Sequence, residues 1–485
     1  MRLWIGVHLP HLPLQAFRPG WSAEPRALVV LEGDRVMSVS AAAHAAGIRP
    51  GMRRGGALGL LPEVDMRERA EALEHERLLA LAQALLRFSP QVTLAREATV
   101  LLDVSASLRL FGGIRALHGS IRETLGALAL SGRIGMAPTG SGAWVLARHR
   151  RYALRAERLA QLVAGLPLNT LDEARAHQDW LSGLGCASLG DLLRLPRAGL
   201  KRRTGPALLD ALDRILGRSA ELFDWLDIPE CFDAQQELPD RTEDTGMLLG
   251  CLEGLVAQLA GWLQVRQCAV RSVRISLHHE RGRAALEPTV LDIALAAPST
   301  SSFYLLRLIG ERLSRLTLPA AVLSLRLQLL DHEAAEPPSD MLFPDPGGSP
   351  DDHRRLLGLL CARLGETRLR HPAPRADHRP EIANRWLPEA PCARLAIQAC
   401  LPRPLWLLET PLPLLTRGHR PFYGTPLRIV SSAERIEAGW WSADSVARDY
   451  YIAESQDHGC YWVFRQRPGL GLEEEPRWFL HGLFA

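Results

Sequence analysis

Hydrophobic and polar positions along this chain change period several times, and each change marks an element. Residues 3–9 (Leu-Trp-Ile-Gly-Val-His-Leu) form a short apolar run with the character of a buried strand. Residues 27–31 and 35–39 predict two strands joined as a hairpin through Glu32-Gly33-Asp34. The run Ala41 to Ala46 predicts a helix stopped by Gly47, with a turn at Ile48-Arg49-Pro50-Gly51-Met52. Leu78, Leu81, Leu85 and Phe88 recur at helical spacing and predict a long helix from about Arg67 to Phe88. A strand over 99–104, a helix over 117–128, a strand over 132–136 and a helix over 143–149 come after it. This order suits a small mixed sheet with helices on one face.

From about residue 166 the pattern turns to short helices. Trp180-Leu181-Ser182-Gly183-Leu184-Gly185 followed by Ser188-Leu189-Gly190-Asp191-Leu192-Leu193 reads as a helix-hairpin-helix or a plain αα-hairpin. In the first reading its glycines leave backbone N–H groups free to hold a DNA phosphate. Residues 199–217 give a basic turn, Lys201-Arg202-Arg203, and then a helix. Pro229 to Asp240 reads as an irregular crossover. A helix over about 244–264, strands over 268–278 and 289–295, a helix over 303–316 and a strand over 321–330 come next. A Pro/Asp/Gly-rich segment, 333–350, reads as a linker. The remainder, 351–485, ends in aromatic strands at 450–453, 461–464 and 478–480, and holds six of the twelve tryptophans. That much aromatic area argues for a folded module and a partner-binding surface rather than a disordered tail.

Length and composition narrow the class. At 485 residues the chain holds about three domains or slightly more. Hydrophobic content of 47% with 23% charged residues is ordinary for a globular protein. A net charge of only +3 means that nucleic-acid binding must come from a local patch. Lys201 is the only lysine, so phosphate contacts fall to the planar forks of arginine. Eight scattered cysteines form no C-x-x-C pair, which argues against a zinc site and a disulfide framework and fits a reduced cytoplasm. The N-terminal stretch, broken by Pro10 and Pro13, lacks a signal-peptide core, and no apolar run reaches the ~20 residues of a membrane span.

Three segments carry candidate chemistry, and all three resemble core motifs of the Y-family (translesion) DNA polymerases. They are Leu3 to Pro10, Val100-Leu101-Leu102-Asp103-Val104-Ser105, and Ile134-Gly135-Met136-Ala137-Pro138-Thr139. Template-directed polymerases hold two metal ions on clustered carboxylates. Under the resemblance, the metal-ligand positions fall on His8, Pro10, Ala98 and Thr99, none of which offers Mg²⁺ a hard carboxylate oxygen. A bulky residue that excludes ribonucleotides falls near Pro13. The segment Ser40 to Met52 resembles the fingers motif, with its phosphate-contacting Tyr and Arg falling on Ala41 and His44, and a phosphate-binding Lys falls on Gly140. His8 and His11 lack a third ligand, so no metal or other cofactor is expected. Asp103 is expected to pack or cap locally.

The resemblance implies an α/β (α+β) multidomain fold: palm-like residues 1–14 and 66–164, fingers-like 15–65, a thumb-like 165–228 with a helix-hairpin-helix, a little-finger-like 233–332, a linker 333–350 and a C-terminal partner-binding region 351–485. It extends to the ImuB family, the catalytically silent Y-family-like proteins of a bacterial mutagenesis cassette. Leu110-Phe111-Gly112-Gly113, Phe343 to Gly348, Asp377-His378-Arg379-Pro380-Glu381, Pro402 to Leu408, Arg448-Asp449-Tyr450-Tyr451 and Trp478 to Phe484 carry it. It implies an adaptor, not an enzyme. The implied partners are the sliding clamp (beta subunit), the RecA-like ImuA and the error-prone C-family polymerase ImuC, with RecA as a further candidate. The implied place is the cytoplasm, nucleoid-associated when on DNA.

A clamp-binding peptide is a short extended segment that seats apolar residues in a pocket. Ser339-Asp340-Met341-Leu342-Phe343 fits in part, through Leu342 and Phe343, with Ser339 where glutamine is usual. Arg315 to Pro319 is a rival better read as core. DNA contacts are expected to be phosphate-directed, from Gly183, Gly185, Lys201, Arg202 and Arg203 in the thumb and Arg266, Arg271 and Arg274 in the little finger. Two rival readings stand: a divergent active Y-family polymerase using acids such as Asp34 or Asp103, and a structural DNA-binding protein without clamp contact.

Overall fold

The computed structural model describes residues 2–18, 20, 26–279, 286–335, 350–365, 367–387, 402–441, 445–467 and 477–484. The chain divides into two compact units, Met1–Arg363 and Leu364–Ala485.

In the first unit a four-stranded antiparallel sheet sets the frame. Its order is Val92–Ala95, Thr99–Asp103, Trp4–His8, Arg133–Ala137. Leu3, Ile5, Val7 and Leu9 alternate onto one face, where Leu81 and Leu85 of helix Glu71–Leu85 and Leu117 and Ile121 of helix Ile114–Ala127 cover them. The other face is covered too, by helix Gly140–Arg148. That contact is close enough to dictate sequence. Gly6 and Gly135 are register partners, and a Cβ on Gly135 would lie 2.1 Å from the Ala147 nitrogen. Two facing glycines leave the groove in which the backbone of Ala143 and Ala147 sits.

The fingers-like part is a three-stranded sheet, Arg35–Val39, Leu28–Glu32 and Asp65–Glu68, the last pair parallel. The long helix expected from about Arg67 therefore starts later, at Glu71, because Asp65–Glu68 alternates onto the edge of the hairpin. The thumb-like part is helical from Ala156 to Ile215, apart from its connecting turns.

The little-finger-like sheet has the order Thr289–Ser299, Cys268–His279, Val322–Ala334, Asp233–Thr242. Its fourth strand is the segment expected to be an irregular crossover; it pairs with Val322–Ala334 through polar residues such as Gln235 and Gln236. Helix Thr245–Arg266 is long and apolar enough to cross a membrane, yet 61% of that stretch is buried inside the protein. It packs on the little-finger sheet and on helices Glu71–Leu85 and Ile114–Ala127, which explains an apolar surface all round. Helix Pro350–Leu364 sends Ala362 into the same core, so the second unit begins at Leu364 rather than at the expected 351.

The second unit is built on an eight-stranded sheet. Its path runs Thr425–Pro426, Arg420–Tyr423, Trp406–Arg417, Trp478–Leu483, Cys460–Gln466, Val446–Glu454, Arg428–Ile429, with Glu434–Ala438 also paired to Val446–Glu454. Trp478, Leu480 and Val463 fill one face, and Tyr450, Trp462 and Phe464 the other. The segments that carried the C-terminal resemblance converge here. Arg448 Nη1 donates to Glu381 (3.1 Å) and to the Tyr450 hydroxyl (3.0 Å), and that hydroxyl lies 2.8 Å from His481 Nδ1. Arg403 lies over the Trp462 ring and pairs with Glu434.

Candidate functional site

The antiparallel registers bring His8, Thr99 and Arg133 into one row at one end of the first sheet. The turn beside them holds Glu97 and Ala98 with φ of 54° and 49°, a left-handed pair of non-glycine residues. Ala98 gives its carbonyl to the Leu9 N–H at 2.9 Å. His8 Nδ1 lies 2.8 Å from the Glu97 carbonyl and 3.2 Å from Thr99 Oγ1. The carbonyl can only accept, so the His8 proton sits on Nδ1. Burial pushes His8 down to about 4, against the Glu97 hydrogen bond and with help from Arg148 and Arg133. At neutral pH the imidazole is uncharged. Pro10 lies next in the turn into helix Leu12–Phe17.

The acid nearest this row is Glu97. Its Oε2 lies 2.7 Å from Arg148 Nη1, and its Oε1 lies 3.9 Å from Arg175. Burial raises its carboxyl pKa, and the arginines oppose that. Arg148 also donates to the Thr170 carbonyl and lies over Trp144, whose ring Arg96 approaches as well. Sequence patterning did not reveal this arginine-rich cluster; its signal was Glu97 as the sole acid between Val92 and Leu102. Among the described residues no group of three or more His, Cys, Asp or Glu side chains could hold a metal ion.

Gly140, expected at the phosphate end of the site, lies elsewhere. The strand Arg133–Ala137 runs antiparallel to Trp4–His8, so the chain leaves it beside Trp4, not beside His8. A Cβ on Gly140 would meet Phe223 at 2.5 Å, and the Glu221 carboxylate accepts from the Gly140 and Ser141 N–H groups at 2.9 and 2.7 Å. The helix then returns along the sheet and delivers Arg148 to the His8 end. Asp103 accepts from the N–H and hydroxyl of Ser105, a local cap as expected. Ala41 and His44 are exposed.

The thumb-like glycines do not present free amides. The N–H groups of Leu184, Gly185 and Cys186 bond back to the preceding helix, and Asp191 accepts from the N–H groups of Ala187 and Ser188. Ser188 and Asp191 form a capping box, so the anion position at that helix start is filled from within the chain. Hence the expectation of free phosphate-binding N–H groups around Gly183 and Gly185 is corrected by the capping geometry. Lys201, Arg202 and Arg203 are exposed at the end of helix Arg197–Thr204 and make no ion pair among the described residues. The little-finger arginines are engaged. Arg266 donates to the Pro229 carbonyl, Arg271 to Glu333, and Arg274 forms a two-pronged bond to Asp292 at 2.7 Å on each arm. The Ser339–Phe343 peptide lies outside the described residues.

Residues 15–148 match the impB/mucB/samB family. Protein ImuB of Caulobacter vibrioides, strain NA1000 / CB15N, is 28% identical over 486 aligned residues covering 90% of this chain and all of that protein. The same values hold for Protein ImuB of strain ATCC 19089 / CIP 103742 / CB 15. Among solved structures, an insertion ternary complex of Dbh DNA polymerase matches with a TM-score of 0.39 and 16% identity, over 69% of this chain and all of that one. DinB from Sulfolobus solfataricus matches with a TM-score of 0.36 and 16% identity, over 69% of this chain and 100% of that one. Residues 15–148 thus resemble the impB/mucB/samB family, and the chain is similar to Protein ImuB over most of its length.

Proposed function

We propose that this chain is a non-catalytic adaptor in damage-induced translesion DNA synthesis and mutagenesis. It links the sliding clamp, the RecA-like ImuA and the error-prone polymerase ImuC at damaged DNA. One observation carries the reading. At the end of the palm-like sheet, a neutral imidazole (His8) faces a threonine (Thr99), and the nearest carboxylate, Glu97, is held by the Arg148 guanidinium. Two-metal phosphoryl transfer needs carboxylate oxygens free to bind the ions and hold the attacking and leaving groups. A guanidinium against the carboxylate supplies fixed positive charge but no exchangeable ligand position. The likeness to Protein ImuB over most of the chain supports the adaptor role.

Primer extension on clamp-loaded primed template, with Mg²⁺ or Mn²⁺ and all four deoxynucleotides, tests it. The expected outcome is no extension above a mock preparation, with DNA and clamp binding retained. Template-dependent extension that survives stringent purification overturns it. The Ser339–Phe343 peptide is proposed as the clamp contact; Leu342→Ala with Phe343→Ala is expected to abolish clamp retention and leave DNA binding unchanged.

A further inference from the structure

Strands Glu434–Ala438 and Val446–Glu454 of the second unit form an antiparallel pair whose connection carries two tryptophans that the proposed function does not use. Trp440 is 79% exposed and Trp441 is 65% exposed. Their rings meet each other edge to face, with centroids 5.2 Å apart, while Tyr450, Trp462, Phe464 and Trp478 of the same unit are buried. Two adjacent indoles left in water forgo the burial that aromatic rings usually gain, which marks them for contact with something outside the fold.

The strands leading to these indoles carry a charged row. Arg435, Asp449 and Arg465 are register partners across three strands. Asp449 is 2% exposed and is the focus of three guanidiniums: Arg435 at 2.9 Å, Arg465 at 3.6 Å and Arg467 at 3.9 Å. Glu437 meets Arg467 at 3.1 Å and Arg435 at 4.0 Å. Among the described residues three cations thus share two carboxylates, one of them buried, and the three guanidiniums are about half exposed. Each guanidinium offers five donors, more than these described contacts use, which leaves a positive surplus along the row. The last ladder pair before the tip is Ala438↔Val446, which sets Arg435 within roughly 10 Å of the tip along the strand.

We propose that Trp440, Trp441 and the adjoining arginine row bind single-stranded nucleic acid, with the indoles stacking on unpaired bases and the guanidiniums meeting phosphates. The positive surplus complements a phosphate backbone, and exposed aromatic rings beside cations are the two parts of a sequence-tolerant single-strand site. In a duplex the base faces are already stacked and out of reach, so the tip prefers single strands. This goes beyond the adaptor reading and does not depend on it: clamp binding and the absence of extension can hold with or without this contact.

The test uses the full chain and a fluorescein-labelled oligo-dT, read by anisotropy. Trp440→Ala with Trp441→Ala is expected to weaken single-strand binding about tenfold or more. Duplex affinity should hold, as should thermal stability, because both rings lie outside the core. Trp440→Phe with Trp441→Phe should keep most of the affinity. Arg465→Ala with Arg467→Ala should shrink the salt dependence of single-strand binding by about 1.4 in log–log slope, at ~0.7 per phosphate contact. Photocrosslinking to 5-iodouracil should label the peptide containing Trp440 and Trp441. Unchanged affinity in the alanine pair, or crosslinks confined to other peptides, overturns the proposal. Loss of a protein partner from the alanine pair with single-strand binding intact also overturns it, and assigns the tip to protein. The Lys201→Ala, Arg202→Ala, Arg203→Ala variant, run alongside, reports thumb binding separately.

Discussion

At the scale of single residues, burial decides the charge of the two most perturbed histidines. His481 is fully buried, and its Nδ1 faces the Tyr450 hydroxyl. Because Arg448 donates to that hydroxyl, the hydroxyl proton goes to Nδ1 and the imidazole keeps its own on Nε2, which faces Glu381 at 4.0 Å. Burial pushes His481 from 6.5 to about 4, against Glu381 and with help from Arg448. His8 in the first unit moves the same way, to about 4. The unfolded chain therefore takes up protons between pH 6.5 and 4 that the folded chain refuses. Stability is whole above about 6.5 and falls as pH drops toward 4, by up to about 1.4 kcal/mol per pH unit for each histidine. Urea midpoints at pH 7.5 and 5 check this, and equal midpoints would refute it. Tyr450→Phe removes the central hydroxyl and leaves buried partners unmet. It should cost about 1–3 kcal/mol at neutral pH, read from the near-ultraviolet signal of the buried aromatic cluster during a urea melt.

At the scale of elements, one tight constraint is the helix Gly140–Arg148 lying on Gly6 and Gly135. Gly135→Val would drive side-chain atoms into the Ala147 backbone and lift the helix from the sheet. A loss of about 3 kcal/mol or more is expected by the rule for overpacked cores, and a melting temperature within a degree of the parent would sink the argument. Strongly periodic elements were legible in the sequence: the first strand, the fingers hairpin, the core helices (the first of them starting at Glu71 rather than about Arg67) and three of the four little-finger strands appear where the hydrophobic spacing put them. Polar and proline-bearing strands were not. Asp233–Thr242 pairs through backbone with few apolar residues to reveal it. Trp406–Arg417 tolerates Pro411 because the register shifts between Leu407 and Leu412. Of the expected site positions, one strand pairing unites His8 and Thr99, with Ala98 in the turn beside them. Gly140 lies away from its expected place, and Arg148 went unforeseen, because strand direction, which no local pattern encodes, sends one to each end of the sheet.

At the scale of the whole molecule, the question is where a chain of net charge +3 would hold a polyanion. Arginine is abundant, but much of it is neutralised within the fold. On the little-finger sheet Arg274 pairs with Asp292, Arg326 with Asp233 and Arg271 with Glu333. A phosphate arriving there must displace a carboxylate already held by two parallel N–H bonds at Arg274, so little net gain remains. Lys201, Arg202 and Arg203 have no such competitor among the described residues and sit at the C-terminal end of a helix. Each phosphate contact contributes about 0.9 to the salt slope of duplex binding. Replacing all three by alanine should therefore lower the slope by about 2.7 and weaken binding evenly across sequences. Arg274→Ala should leave the slope nearly unchanged and barely move stability, because a solvent-exposed ion pair contributes little. Titrations from 50 to 200 mM salt separate the two. A slope that falls with Arg274→Ala but not with the thumb variant would move the grip to the little finger, and would mean that DNA breaks the cross-strand pairs when it binds.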